Sequence, residues 1–240
     1  MSRPDLKAEE RIIVALDLPS LSQSLEIVDK LENSIQTYKI GPILFLEKGI
    51  DSIKNIKSRN KEIFLDLKFH DIPSTVEKSI PNILDYGISM FTIHTFGGFE
   101  MMKSVCGRVQ FESVNRNIEK PLVLGVTVLT SHSDETMYEL GIGRQTKDQV
   151  LRLASLAEKA GVDGLVCSGL ECEMLRAEFG DRFTLVVPGV RPAGNSHDQK
   201  RVVTPKEAID MGADYLVIGR AITESDNPEN TFNEILKTIS

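Results

Sequence analysis

Phe64-Leu65-Asp66-Leu67-Lys68-Phe69-His70-Asp71-Ile72-Pro73 places three charged side chains at the end of a run that otherwise has the composition of a buried strand. Residues two apart on a strand share a face, so Asp66 and Lys68 are expected to point the same way. Asp71 lies past the strand and just ahead of Pro73, a residue suited to the first position of a helix. An acid, a base and a second acid gathered at one strand end set each other's protonation states, as a proton-transfer site requires. An exposed edge strand with a salt bridge is the plainer alternative, but Ile63, Phe64, Leu65, Leu67 and Phe69 make the segment too apolar for it.

Outward from this segment, apolar β-branched runs recur at 11–17, 37–41, 62–68, 90–94, 122–129, 163–167, 184–188 and 215–219, eight in all. Between them lie stretches with helical apolar spacing, such as Leu21-Leu25-Val28-Leu31, preceded by the capping signal Pro19-Ser20, and Val150-Leu153-Leu156-Ala157. Strand and helix alternating eight times in 240 residues predicts an α/β fold, a (β/α)8 TIM barrel, with residues 1–240 as a single domain. An open doubly wound sheet is disfavoured because no Gly-x-Gly-x-x-Gly follows the first run. Gly141-Ile142-Gly143 falls between elements and reads as a turn.

The formal net charge of -7 and the lack of any basic run argue against a nucleic-acid or membrane surface, so an anionic ligand must be held locally. The polar residues 1–10 contain no apolar signal core, and no run approaches membrane-spanning length, so a cytoplasmic protein is expected. Cys106, Cys167 and Cys172 are odd in number and scattered, which suggests buried or unused thiols rather than disulfides or a metal knuckle. His70, His94, His132 and His197 lack zinc-binding spacing, and no structural metal is expected.

A barrel predicts functional residues at the C-terminal ends of its strands. Asp17, Lys39, Asp66 with Lys68, and His94 end runs one to four; Thr130-Ser131, Arg191 and Gly219-Arg220 follow runs five, seven and eight. His94 by itself reads as a hydrogen-bonded structural residue. Loops after the last two strands commonly bind phosphate through backbone N–H groups and a helix N-terminus. Val217-Ile218-Gly219-Arg220-Ala221-Ile222 fits, with glycine admitting close backbone approach and arginine adding a planar cation. Arg191 and Asp198-Gln199-Lys200-Arg201, in a long polar insertion, have the form of a binding loop.

Asp17, Tyr38-Lys39-Ile40-Gly41, Leu65 to Pro73, Val126-Thr127-Val128-Leu129-Thr130-Ser131, Pro188-Gly189-Val190-Arg191-Pro192, Asp198-Gln199 and Ile218-Gly219-Arg220 together resemble the orotidine 5′-phosphate decarboxylase family, in order and over nearly the whole chain. Asp-x-Lys-x-x-Asp alone is shared with related phosphosugar barrels. Ser74 departs from the asparagine expected in much of the bacterial family and bears only on local turn geometry.

The resemblance implies decarboxylation of a small-molecule nucleotide, with Lys39, Asp66, Lys68 and Asp71 as the catalytic charges and no metal, flavin or thiamine cofactor. It also implies a homodimer in which Asp71 and Thr75 come from the neighbouring subunit. Asp17 and Lys39 would hold ribose hydroxyls, Thr130 and Ser131 would border the pyrimidine, and Arg191, Gln199, Gly219 and Arg220 would bind or enclose the phosphate. Residues 193–200 are the candidate lid.

Two rivals remain. A magnesium-dependent sugar-phosphate decarboxylase or aldolase on the same barrel would carry a glutamate where Lys39 stands. A non-catalytic nucleotide-phosphate sensor would tolerate loss of Lys68 or the aspartates, all of which are present.

Overall fold

The computed structural model describes residues 6–191 and 203–240. Eight parallel strands close into a barrel in chain order. They are β1 (Ile12–Ala15), β2 (Thr37–Ile40), β3 (Glu62–Phe69), β4 (Met90–His94), β5 (Leu122–Val126), β6 (Gly164–Val166), β7 (Thr184–Pro188) and β8 (Tyr215–Ile218). Every expected strand is present, with several ends trimmed. β1 stops at Ala15 rather than Asp17, and β5 at Val126 rather than Leu129. Pairing continues past these ends as single backbone bonds, Leu16 N–H to Lys39 O at 3.0 Å and Thr127 N–H to Val166 O at 3.2 Å. In β1 and β5 the chain leaves the sheet just before the candidate site residues Asp17, Thr130 and Ser131.

The helices follow from local signals. The Ser20 hydroxyl accepts from Gln23 N–H and caps helix Leu21–Lys30, as the sequence predicts, and Pro73 opens helix Pro73–Asp85. Helix Thr146–Ala160 turns Val150, Leu153 and Ala157 onto the barrel. Their apolar faces and the outward strand residues form one continuous core layer around the barrel wall. No described helix is long and apolar enough to cross a membrane. All three cysteines are buried and free.

Inside the barrel is a second, smaller core of Ile13, Ala15, Phe64, Met90, Leu124, Val126, Val166, Val186, Tyr215 and Val217. Strand alternation continues these inward columns upward: Ile13 and Ala15 lead to Asp17, Thr37 to Lys39, Phe64 to Asp66 and Met90 to Thr92. The barrel interior is thus apolar below and charged at its C-terminal mouth.

The opposite end of the barrel is held by a recurring device. Gly87-Ile88-Ser89, Gly161-Val162-Asp163 and Gly212-Ala213-Asp214 each lie between a helix and the next strand, and each glycine has positive φ. The polar side chain then ties that strand to its predecessor. Asp163 accepts from Val123 N–H at 2.9 Å, Asp214 accepts from Leu185 N–H at 2.7 Å, and Ser89 donates to Glu62. Arg176 bonds Asp214 Oδ2 at 2.7 Å and Phe183 O at 2.8 Å, reinforcing the β7–β8 clamp.

Gly164 sets the tightest contact in the wall, because a Cβ there would lie 2.5 Å from Thr184 O and 2.7 Å from Leu124 Cδ2. Backbone oxygen cannot yield without parting β6 from β7. We therefore expect Gly164→Ala to destabilise the fold by roughly 1–3 kcal/mol through overpacking, read as a lower midpoint in urea unfolding. An unchanged midpoint would contradict this account of the wall.

Candidate active site

Asp66 is 9% exposed at the barrel mouth, and both of its carboxylate oxygens are engaged. Lys68 Nζ donates to Oδ1 at 2.9 Å and Oδ2 at 3.0 Å, Thr92 Oγ1 donates to Oδ1 at 3.0 Å, and Lys39 Nζ stands 3.5 Å from Oδ2. Lys39 also reaches Asp17 Oδ1 at 2.9 Å. The result is an unbroken alternation, Asp17–Lys39–Asp66–Lys68, running from β1 to β3. Burial alone would push the Asp66 carboxyl up, but the two ammoniums and the hydrogen bonds from Lys68 and Thr92 outweigh it and hold the group below the ordinary aspartate range.

Asp66 and Lys68 do face one site, but not by regular strand alternation. The β3–β4 ladder pairs Leu65 with Phe91 and next pairs Phe69 with Ile93, so β3 carries extra chain between the two registers. Within that bulge Lys68 has φ 48, a left-handed conformation that costs a side-chain-bearing residue roughly 1–2 kcal/mol. Its N–H, turned out of the ladder, donates to Thr92 Oγ1 at 2.8 Å. Asp17 and Lys39 have their own accommodation: a Cβ at Gly41 would lie 2.6 Å from Asp17 Oδ1 and 3.0 Å from Lys39 Nζ. Read from the sequence, Gly41 is part of the Tyr38-Lys39-Ile40-Gly41 motif but without a role, and Thr92 is not singled out at all. A hydroxyl at the inward position after Met90 was the available signal for Thr92.

A cavity of about 520 Å³ opens over the network and runs toward the loops after β7 and β8, bordered by Asp17, Lys39, Asp66, Lys68, Arg191, Gly219 and Arg220. A second, of about 300 Å³, shares both lysines, Asp66 and Arg220 and extends over β5 and β6. There Thr130 and Ser131 face a wall of Val126, Val128, Val166 and Pro188. The combined site has a cationic end, a charged middle and a flat apolar recess edged by hydroxyls. Such a site suits a molecule with an anionic group at one end and a largely apolar ring at the other. Arg220 opens a helix of a single turn, Arg220–Thr223, so at this end the arginine charge outweighs any helix macrodipole.

Nine of the expected site residues therefore converge on one mouth: Asp17, Lys39, Asp66, Lys68, Thr130, Ser131, Arg191, Gly219 and Arg220. Asp71 and Thr75 do not border either cavity of their own chain. Both are exposed, and the Asp71 carboxylate accepts the Ile72 N–H at 2.6 Å. Gln199 and the neighbouring Asp198, Lys200 and Arg201, like the candidate lid at 193–200, lie outside the described residues. His94 keeps a structural part. Its Nδ1 accepts from Phe96 N–H at 3.4 Å, its ring stacks on His70 with centroids 5.5 Å apart, and burial with His70 and Lys68 nearby lowers its pKa to about 4. It is neutral at neutral pH.

Known proteins resemble this chain over nearly its whole length. The chain is 42% identical over 233 residues to orotidine 5′-phosphate decarboxylase of Actinobacillus succinogenes, covering 97% of each chain. It is 43% identical over 231 residues to that of Haemophilus influenzae, covering 96% of this chain and 97% of the relative. The crystal structure of orotidine 5′-phosphate decarboxylase from Lactobacillus acidophilus superposes with a TM-score of 0.84 at 36% identity, over 96% of this chain and 99% of that one. An uncharacterized conserved protein from Geobacillus kaustophilus superposes equally well, with a TM-score of 0.84 at 29% identity, over 95% of this chain and 100% of that one. The sequence model of one family matches residues 10–235, from just before the first strand into the last helix, and the chain belongs to that family, described as orotidine 5′-phosphate decarboxylase / HUMPS.

Proposed function

We propose that this chain converts orotidine 5′-phosphate to uridine 5′-phosphate and CO2 by cofactor-independent decarboxylation, a step of de novo pyrimidine biosynthesis. The observation that carries the reading is a buried carboxylate, Asp66, held by Lys68 at 2.9 Å and Lys39 at 3.5 Å in a cavity that also reaches Arg220. Breaking the bond from C6 to the carboxylate leaves an electron pair in the ring plane, where no carbonyl can delocalise it. Stabilisation must come from fixed charge. Lys68 supplies it, and its ammonium then passes a proton to C6, leaving a neutral amine that recovers its proton from water. Asp66 faces the departing carboxylate and keeps the Lys68 ammonium in place. The nucleotide phosphate lies against Arg220 and Arg191, Asp17 and Lys39 meet the ribose hydroxyls, and Thr130 and Ser131 meet the pyrimidine. Gly219 borders the phosphate end of the same cavity. Remote phosphate binding then helps to offset the cost of assembling like charges at the reacting bond.

A magnesium-dependent sugar-phosphate reaction is the less suited alternative. The aspartates that a divalent cation would need are already bonded to lysines, and Lys39 Nζ lies 2.9 Å from Asp17 Oδ1. A cation there would meet an ammonium. We therefore expect turnover of orotidine 5′-phosphate to survive exhaustive chelation, followed by loss of its ultraviolet absorbance. Activity lost to chelator and restored by magnesium would favour the rival.

Arg220 acts on binding more than on bond breaking in this scheme. Arg220→Ala should lower kcat/KM for the nucleotide by roughly 100-fold or more, while residual turnover of the nucleoside without phosphate hardly changes. Equal losses on both substrates would displace Arg220 from the phosphate end.

We further propose a homodimer in which Asp71 and Thr75 of each subunit complete the other's site. Asp71 is exposed, its carboxylate is bonded among the described residues to the N–H of its neighbour Ile72, and Ile72 is itself 64% exposed, a large apolar side chain beside a charged site. Lys68→Ala and Asp71→Ala homodimers should each be nearly inactive. Mixing them should restore roughly a quarter of wild-type activity per site, because about half the dimers are mixed and one site in each then carries neither lesion. A mixture that stays inactive after subunit exchange is shown by mass spectrometry would place both residues in one chain's site.

A further inference from the structure

Thr92 sits on β4, fully buried, with its hydroxyl doing two things at once: it accepts the Lys68 N–H at 2.8 Å and donates to Asp66 Oδ1 at 3.0 Å. A hydroxyl has one proton to give, and here it goes to the carboxylate while a lone pair receives the amide. The same atom therefore ties the backbone of the proton donor to the side chain of its counter-ion, across a bulge where the ladder offers Lys68 no regular partner and its φ is 48. Neither Asp66 nor Lys68 can shift alone without breaking a bond to a rigid neighbouring strand.

We propose that Thr92 is a positioning residue: its hydroxyl fixes the Lys68 backbone and the Asp66 carboxylate in the one relative placement that aims the ammonium at the reacting carbon. The inference rests on the decarboxylase reading given above. It predicts that Thr92→Val, which keeps the shape and deletes the hydroxyl, lowers kcat by roughly 10- to 100-fold while KM for orotidine 5′-phosphate stays within about threefold. Thr92→Ser, which keeps the hydroxyl, should recover most of the rate.

The pH profile separates this role from plain loss of packing. Asp66 must be ionised, and one of the hydrogen bonds holding its pKa low comes from Thr92. Removing that bond favours the protonated form, so the acid limb of kcat/KM should move to higher pH in Thr92→Val and return in Thr92→Ser. Amide exchange of Lys68, followed by NMR without substrate, should quicken in the valine variant and stay slow in the serine variant. Wild-type kcat with an unmoved acid limb in Thr92→Val would overturn the role of Thr92 alone, as would unchanged Lys68 exchange. A wild-type chain that leaves orotidine 5′-phosphate untouched would overturn the assigned reaction, and this role with it.

Discussion

A carboxylate buried at the mouth of a barrel is stable only if cations come with it, and Asp66 imposes that condition on the whole upper half of this protein. Taking a charge out of water costs several kcal/mol even after relaxation. Lys39 and Lys68 offset the cost from two neighbouring strands, and Asp17 in turn balances Lys39. Each lysine must then be delivered to within about hydrogen-bond length of one group. That demand accounts for three local departures from an ordinary barrel: the missing side chain at Gly41, the extra chain in β3 and the left-handed backbone at Lys68. None of the three improves the fold by itself.

The rest of the molecule supplies the rigidity that such an arrangement needs. Below the charged layer the barrel is filled by Phe64, Met90, Leu124, Val186 and their neighbours, and the wall is wrapped by a continuous apolar layer under the helices. Strain of a few kcal/mol at the mouth is affordable because it is confined to one strand and overdetermined by its neighbours. The apolar recess over β5 and β6 and the arginines after β7 and β8 lie away from the β3 bulge. In the proposed reaction they set where the nucleotide lies relative to the charges.

The coarse fold was legible because eight apolar runs separated by helical spacing admit few architectures, and the runs are long enough to survive errors of a residue or two at their ends. The charged network was legible for a related reason: Asp66 and Lys68 are out of place in so apolar a strand. Thr92 escaped because threonine is an unremarkable strand residue, and its importance comes only from the irregular ladder that brings Lys68 N–H to it. The bulge itself left no mark, since Leu65 to Phe69 alternates as a regular strand would. Asp71 and Thr75 show the opposite limit. Their motif is plain in the sequence, yet neither residue borders the two cavities at the mouth of its own barrel.

The clamps at the closed end of the barrel bear on how the chain reaches this shape. Ser89 with Glu62, Asp163 with Val123 and Asp214 with Leu185 each join two consecutive strands, β3 to β4, β5 to β6 and β7 to β8. Every one of these links closes a short stretch of chain and can form as soon as its second strand exists, at little loop-closure cost. A nascent chain emerging from the ribosome can therefore lock its barrel two strands at a time. Only the seam where Ile12 meets Leu216 has to wait for the end of synthesis. Until then β1 and β7 present open edges, which makes the seam the slow, aggregation-exposed step in the life of an otherwise locally wired protein.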